Sequence, residues 1–355
     1  ATNFLGPYEL PAMSLDVKLA LTNMTPVTPV RGAGRPQGTF AMERLMDRIA
    51  RELDLDRVEV RRRNLIPDDA YPWTALTGLR FEGMSHHAAV DKLVAMIGYD
   101  DLRAEHARLR EQGIHRGLGF AALIELTNPG PGTYGMGGAR ISSQDGASAK
   151  MDASGSVIIQ TSITEQGQGS ETIIGQIAAS AFGTTPDRVR VISGDTDNVP
   201  VGWGAGGSGG AGIAGEAALQ AAKALRRNVL DVAGALLQAE PGTLDIRRGK
   251  VVDRADGTER MPLEEVARVA YFRPDTLPKG FQSEMMATRH YIPREYPVAF
   301  TNSFQAAEVE VDIETGFLKV LRVWVVEDCG RVINPLLVDE QVRGSVVQGL
   351  GGVLY

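Results

Sequence analysis

The sequence predicts a mixed α/β fold, of the α/β or α+β type, and three observations carry that reading. Runs rich in β-branched residues, such as SVIIQTS at 156–162 and RVRVIS at 188–193, alternate with segments whose apolar residues recur at helical spacing. The 41 glycines gather at 32–38, 130–138, 202–215 and 344–352 instead of scattering, and glycine-rich stretches at 164–172 and 202–215 run straight into helices. With 355 residues, 43% hydrophobic and 23% charged, the chain has globular composition and length for two domains with a sizeable core.

The elements follow in order. ATNFLGPYELPAMSL at 1–15 reads as a strand already under way, with neither the charged nor the apolar region of a signal peptide. The expectation is that the chain starts inside a larger protein. Residues 39–54 place Phe40, Leu45, Met46, Ile49 and Leu53 on one helical stripe. Asp56 caps a short basic helix, VEVRRRNL, which ends before Pro67. Arg61, Arg62 and Arg63 there read as a solvated or inter-domain face. Residues 70–84 read as loop, Ser85 opens a helix closed by Gly98, and DDLRAEHARLREQ forms another. That charge-rich pair suggests a domain boundary near 100–115. Beyond it come a strand, GLGFAALIEL, a Gly/Ser loop at 130–147, and a hairpin turning at Ala153–Gly155. A helix at 170–182, a strand at 188–193 and a long helix at 214–238 follow. A long hairpin turns at Glu314–Gly316, Asn334-Pro335 shapes the turn after it, and a final helix carries small residues on one face.

Composition excludes several functions. A balance of 37 basic and 44 acidic residues gives −7, against nucleic acid as a main partner. One cysteine, Cys329, rules out an internal disulfide and an all-cysteine cluster, with a cytoplasmic setting as the default. Cys329 itself reads as a small residue packed at a strand end. No apolar run reaches membrane-spanning length. The five histidines, His86, His87, His106, His115 and His290, lack metal spacing and read as surface residues.

The informative stretch is TEQGQGSET at 164–172. A helix's first turn carries unpaired N–H groups and the positive end of its dipole. Glycines before it let those amides approach an anionic or strongly hydrogen-bonding ligand, and Gln166 and Gln168 add carboxamides. The same device recurs where 202–212 enters a helix near Ile213, so two mouths suggest one long ligand with several polar or phosphate groups. A plain strand-to-helix turn is the alternative for the first mouth, and a flexible linker for the second. Gly204–Gly209 also matches G-x-G-x-x-G, but DTDNVPVGW separates it from its strand, so a dinucleotide fold is rejected.

Four segments, in one order and over nearly the whole chain, resemble the molybdenum-binding subunit of the xanthine dehydrogenase, aldehyde oxidase and carbon monoxide dehydrogenase family. They are Pro29–Gln37 (PVRGAGRPQ), Thr164–Thr172, Gly204–Gly215, and Asp328–Pro335 (DCGRVINP) leading to Gln341–Gly349. The resemblance implies a molybdenum–molybdopterin cofactor, in the cytosine dinucleotide form usual for bacterial members. Arg31, with Gly32 beside it, would lie near the metal, and so would Gly207. Gln166, Gly167, Gln168 and Gly169 would contact the pterin, Ser208, Gly209 and Gly210 would receive its phosphate, and Gln341 would bond it from the last helix. Ala33 stands at the substrate position, where purine-oxidising members place a phenylalanine, and Gly32 stands where carbon monoxide dehydrogenases carry a copper-binding cysteine. Both departures point away from those substrates and toward an aldehyde or another N-heterocycle. Several relatives carry serine at Gly210.

The resemblance further implies hydroxylation with water as oxygen source, and electrons leaving to iron–sulfur and FAD subunits in a dimer of heterotrimers. No catalytic base is expected within the chain: the family's glutamate would fall beyond Tyr355. The division implied is 1–105 for the C-terminal part of the first molybdopterin-binding domain and 106–355 for the second. The alternative function is a non-catalytic module that keeps the fold without activity.

Overall fold

The computed structural model describes residues 4–26, 28–135, 141–294 and 298–355. In chain order the first half forms α1 (Arg35–Glu52), α2 (Arg57–Asn64), β1 (Trp73–Thr74), β2 (Arg80–Phe81), α3 (His86–Ile97), α4 (Tyr99–Glu111) and β3 (His115–Thr127). Then come α5 (Pro131–Gly135), β4 (Asp145–Met151), β5 (Val157–Thr161), α6 (Ser170–Phe182), β6 (Val189–Ser193) and α7 (Gly215–Leu237). The remainder is β7 (Leu244–Arg247), β8 (Lys250–Asp253), β9 (Glu259–Pro262), α8 (Leu263–Phe272), β10 (Met286–Tyr291), β11 (Ala299–Val311), β12 (Leu318–Asp328) and α9 (Pro335–Leu354). The mixed α/β class is observed. Of the Gly/Ser loop expected at 130–147, residues 136–140 lie outside the described residues, while α5 and the start of β4 replace loop at its ends. No helix among the described residues is long and apolar enough to cross a membrane.

The chain packs as two compact units. The first comprises residues 1–125, 300–331 and 342–355, the second 126–299 and 332–341. The grouping is not contiguous, whereas the sequence reading drew one division at 105/106. The reason is the β11–β12 hairpin. It forms a sheet of order β12-β11-β3, and its Phe304 and Ala306 join Phe120 and Ala122 in a core completed by Met42, Met46 and Val58.

In the first unit, β3 buries Phe120, Ala122 and Ile124 on alternate positions, the signature of a strand with one face covered. Asp56 caps α2 as expected, its Oδ1 accepting from Val58 N at 2.8 Å and Glu59 N at 3.0 Å. Gly98 closes α3 in the left-handed conformation. Ser85 does open α3, though its hydroxyl bonds Asp328 Oδ2 at 2.6 Å and leaves the helix amides alone.

Three expectations need correction here. The buried face of α1 is Met42, Glu43, Met46 and Ala50, while Phe40, Leu45 and Leu53 are exposed. The stripe was drawn from apolar residues alone, and it missed a buried charge. That charge is Glu43, which accepts from Arg61 Nε at 2.7 Å and from the Tyr8 hydroxyl at 2.7 Å. Arg61, expected on a solvated face, is fully buried and also pairs with Asp47 at 2.9 Å; Arg62 and Arg63 keep to the surface. Two histidines are buried as well: His86 lies against Leu123 O at 3.0 Å, and His106 against Glu308 Oε1 at 2.9 Å. Residues 70–84 hold the small β1–β2 pair. Cys329 follows the end of β12, half-buried, and burial pushes its thiol up.

The second unit is built on a four-stranded sheet of order β10-β4-β5-β6, antiparallel except for the parallel β5–β6 pair. A parallel pair needs a crossover, and α6 supplies it. The helix α7 lays Ala217, Ala218, Ala221, Ala222 and Leu225 into the core against Ala147, Ala149 and Ile159. A run of alanines lets helix and sheet approach closely. The satellite sheet β7-β8-β9 and α8, unforeseen from sequence, add Leu244, Ile246, Val251, Leu263 and Val266 to that core.

Candidate functional site

The residues predicted to hold a ligand divide between the units: Arg31, Gly32 and Ala33 belong to the first, the others to the second. Around Arg31 the backbone makes an unusual turn. Gly32, Ala33 and Gly34 all have positive φ, at 100°, 44° and 87°. The turn is closed by Ala33 N to Val30 O at 2.7 Å and Arg35 N to Gly32 O at 3.0 Å. An alanine held left-handed stores strain, a trait that concentrates at functional sites. Any side chain on Gly32 would meet the Pro36 ring at 2.8 Å. Arg35 pairs with Glu125. Burial pushes the Glu125 carboxyl up against the pull of Arg35 and Arg31. Burial likewise raises Glu327 to about 7, against hydrogen bonds from Ser303 and Thr301.

In the second unit, Thr164–Thr172 does turn from β5 into α6, with Gly169 as a left-handed N-cap at φ 81°. Its amides, however, already have a partner that the sequence reading passed over. Glu165 Oε1 accepts from Gln166 N at 3.1 Å, Gly167 N at 2.9 Å and Gly169 N at 3.0 Å, and Oε2 from Glu171 N at 3.0 Å. Although burial works the other way, these bonds hold the Glu165 carboxyl below its usual range. The Gln168 carboxamide is also engaged: Nε2 donates to Thr164 O at 2.7 Å and Ser170 Oγ at 2.9 Å. The available signal was an acid just before a helix start, a favourable position against the dipole.

The second mouth is held differently. Asn128, itself at φ 50°, donates its N–H to Gly207 O at 3.1 Å. Gly207 and Ser208 are both left-handed, at φ 58° and 56°, and Gly209 returns to the right-handed region. Such an alternation turns successive N–H groups into one concavity, an anion nest. From there a π turn at Gly210–Ala214 leads into α7. Packing also demands glycine here, since a Cβ on Gly206 would lie 1.9 Å from Trp203 Nε1. Trp203 stacks on Tyr134 at 5.4 Å, and its buried Nε1 has no hydrogen-bond partner among the described residues. The strand β6 ends at Ser193, well before Gly204, which agrees with the rejection of a dinucleotide fold.

Both mouths open at one end of the second unit. A Cβ on Gly204 would lie 3.8 Å from Thr164, and one on Gly210 would lie 3.7 Å from Ser170 Oγ. The start of α9 reaches the same place: Leu337 lies 2.7 Å from a Cβ built on Gly169, and Asn334 Nδ2 donates to Gln176 Oε1 at 3.1 Å. Gln341 is one helical turn beyond Leu337 on that face. By contrast, a cleft of about 620 Å³ lined by Asn228, Asp231 and Phe281 sits at the far half of α7. It lies about 20 Å or more from the mouths along the helix axis.

Comparison with known families identifies the family of the chain. Models of the molybdopterin cofactor-binding domain match residues 92–355 and 1–65. The chain belongs to that family. This molybdopterin cofactor-binding chain is 34% identical over 350 residues to the nicotine 6-hydroxylase large subunit of Paenarthrobacter nicotinovorans, covering 99% of itself and 42% of that protein. It is 28% identical to the carbon monoxide dehydrogenase large chain of Hydrogenophaga pseudoflava, over 97% of itself and 43% of that protein. Among solved structures, quinoline 2-oxidoreductase of Pseudomonas putida 86 superposes with a TM-score of 0.91 at 34% identity, over 99% of this chain and 44% of that one. The chain thus spans less than half the length of these relatives.

The residues present fit a long phosphorylated ligand, but the two mouths differ. The Ser208–Gly209 nest suits a phosphate, and Trp203 Nε1, packed against Gly206, has no hydrogen-bond partner among the described residues. The α6 mouth offers the exposed Gln166 carboxamide, whose Nε2 donates a long 3.4 Å bond to Thr164 Oγ1.

Proposed function

We propose that the chain is part of the molybdopterin-binding subunit of a molybdenum hydroxylase that oxidises an N-heterocycle or an aldehyde with water as oxygen source. The observation that carries this is the meeting of two glycine mouths and α9 at one end of the second unit. The names of two relatives, a nicotine hydroxylase and a quinoline oxidoreductase, favour the N-heterocycle. When bound, the molybdenum–pterin group supplies the two-electron oxidation and activates water.

The chain's own residues bind and orient. Main-chain donors at Ser208, Gly209 and Gly210 would hold the phosphate, with the Ser208 hydroxyl as a further donor. Gln166, Gly167, Gln168, Gly169 and Gln341 would meet the pterin, the outward Gln166 carboxamide matching its mixed donors and acceptors. As the resemblance implies, Arg31 and Gly32 would lie near the metal, as Gly207 would on its own unit, and the small Ala33 would leave room for substrate. The turn at 32–34 is rigid by virtue of its two internal bonds, so Arg31 is presented at little further entropic cost. No base is proposed within these residues.

Further parts of the reading rest on the family. They are a cytosine dinucleotide form of the cofactor, iron–sulfur and FAD partner subunits in a dimer of heterotrimers, and a cytoplasmic setting. We also propose, from the family, a division into 1–105 and 106–355; one family match, 1–65, lies within the first part, while the other, 92–355, begins inside the first part and covers the second. Metal analysis and pterin fluorescence of the native protein test the proposal. Stoichiometric molybdenum and pterin are expected, and a preparation lacking both refutes it.

A further inference from the structure

We propose that Glu165 is a positioning residue that supplies the α6 mouth with its own anion, so that a ligand phosphate is left to the Gly207–Gly210 mouth. The main-chain N–H groups of Gly167, Gly169 and Glu171 converge on its two oxygens at 2.9–3.0 Å, and that of Gln166 is shared between Glu165 Oε1 at 3.1 Å and Gln168 Oε1 at 2.5 Å. A carboxylate offers about four lone-pair sites, so this one is saturated by the loop around it. These are charge-assisted bonds at the positive end of a helix, the strong class for a surface loop. A phosphate reaching for the same amides would have to evict a like charge already bound there.

The bonds also set the loop's shape. Gly167 and Gly169 are held left-handed at φ 91° and 81°. Within that turn Gln168 is tied to Thr164 O and Ser170 Oγ. What remains outward is neutral, the Gln166 carboxamide and the open face of Gly167, where a Cβ would meet nothing within 4 Å. A neutral, bidentate hydrogen-bonding edge suits an uncharged heterocycle and not a phosphate. The identity of that heterocycle as a pterin, and the ligand phosphate at the other mouth, rest on the proposed function, whereas the hold of Glu165 on the α6 amides does not.

Residue-resolved hydrogen exchange on the full native protein tests this, with Glu165→Ala and the near-isosteric Glu165→Gln, which guards against misfolding of the first. In E165A the amides of Gly167, Gly169 and Glu171 are expected to exchange about tenfold faster or more. E165Q should be intermediate, and amides at 207–210 should not change. Formate, sized to the carboxylate removed, should restore protection in E165A. Inorganic phosphate should protect these three amides in E165A but not in the wild type. Equal rates in wild type and both variants, acceleration that formate leaves unreversed, or phosphate protection of the same amides in the wild type would each overturn the proposal. Pterin and molybdenum content of the same wild-type sample judges the proposed function separately, because a cofactor-free protein leaves the exchange comparison intact.

Discussion

At the scale of the residue, burial decides what an ionisable group does here. His86 is enclosed, with Nε2 against the Leu123 carbonyl, so that nitrogen carries the hydrogen and Nδ1 has no hydrogen-bond partner among the described residues. Burial, opposed by that carbonyl, lowers its pKa to about 4. The unfolded chain therefore binds the proton more readily, near pH 6.5, and stability must fall as pH drops from about 6.5 to about 4. The loss through this one group amounts to at most about 3 kcal/mol. Urea unfolding from pH 7 to 4 should show the stability advantage of wild type over His86→Gln shrinking across that window. A constant gap would mean that His86 titrates normally. In sequence His86 and His87 look alike. Only the first is buried, because it alone meets the strand carrying Leu123.

At the scale of the element, the glycines separate into kinds that composition merges. Gly206 is excluded from bearing a side chain by Trp203, which lies where its Cβ would be. Gly349 lies on exposed α9 with nothing within 4 Å of that position. The two should therefore respond with opposite sign. Gly206→Ala is expected to destabilise by about 1–3 kcal/mol by displacing the indole from Tyr134. Gly349→Ala should be neutral or stabilising by up to about 1 kcal/mol through helix propensity. Denaturant midpoints of both variants check the pair. The glycine clusters themselves, and the helices they enter, were legible. Which glycine serves packing and which faces a ligand was not, since Trp203 and Asn128 stand in the way only after folding.

At the scale of the whole molecule, the β11–β12 hairpin makes the first unit discontinuous. Phe304 stacks on Phe120 at 6.1 Å, and Arg322 closes on Glu308, which also receives His106. The Phe120–Phe304 and His106–Glu308 contacts join parts of the chain 184 and 202 residues apart, a long-range arrangement that no local pattern announces. Units of this kind open cooperatively. Amides of residues 302–309 should therefore share their exchange free energy with β3 and α1, and differ from α6, α7 and β4. Co-exchange of the hairpin with α7 would contradict the grouping.

The sequence by itself determined what short-range forces determine. It marked the left-handed stop at Gly98, the cap at Asp56, the 170–182 helix, the turn at Glu314–Gly316, and the order of motifs shared with the family. Each depends on residues within a turn or two of one another. Only the tertiary structure decided that Arg61 is buried with Glu43, that the hairpin completes the first core, and that both glycine mouths open at one end. Those outcomes depend on which distant surfaces exclude water from each other. The carboxylate of Glu165 lies between the two cases. It is local in sequence yet visible only once the turn has aimed its amides at one point.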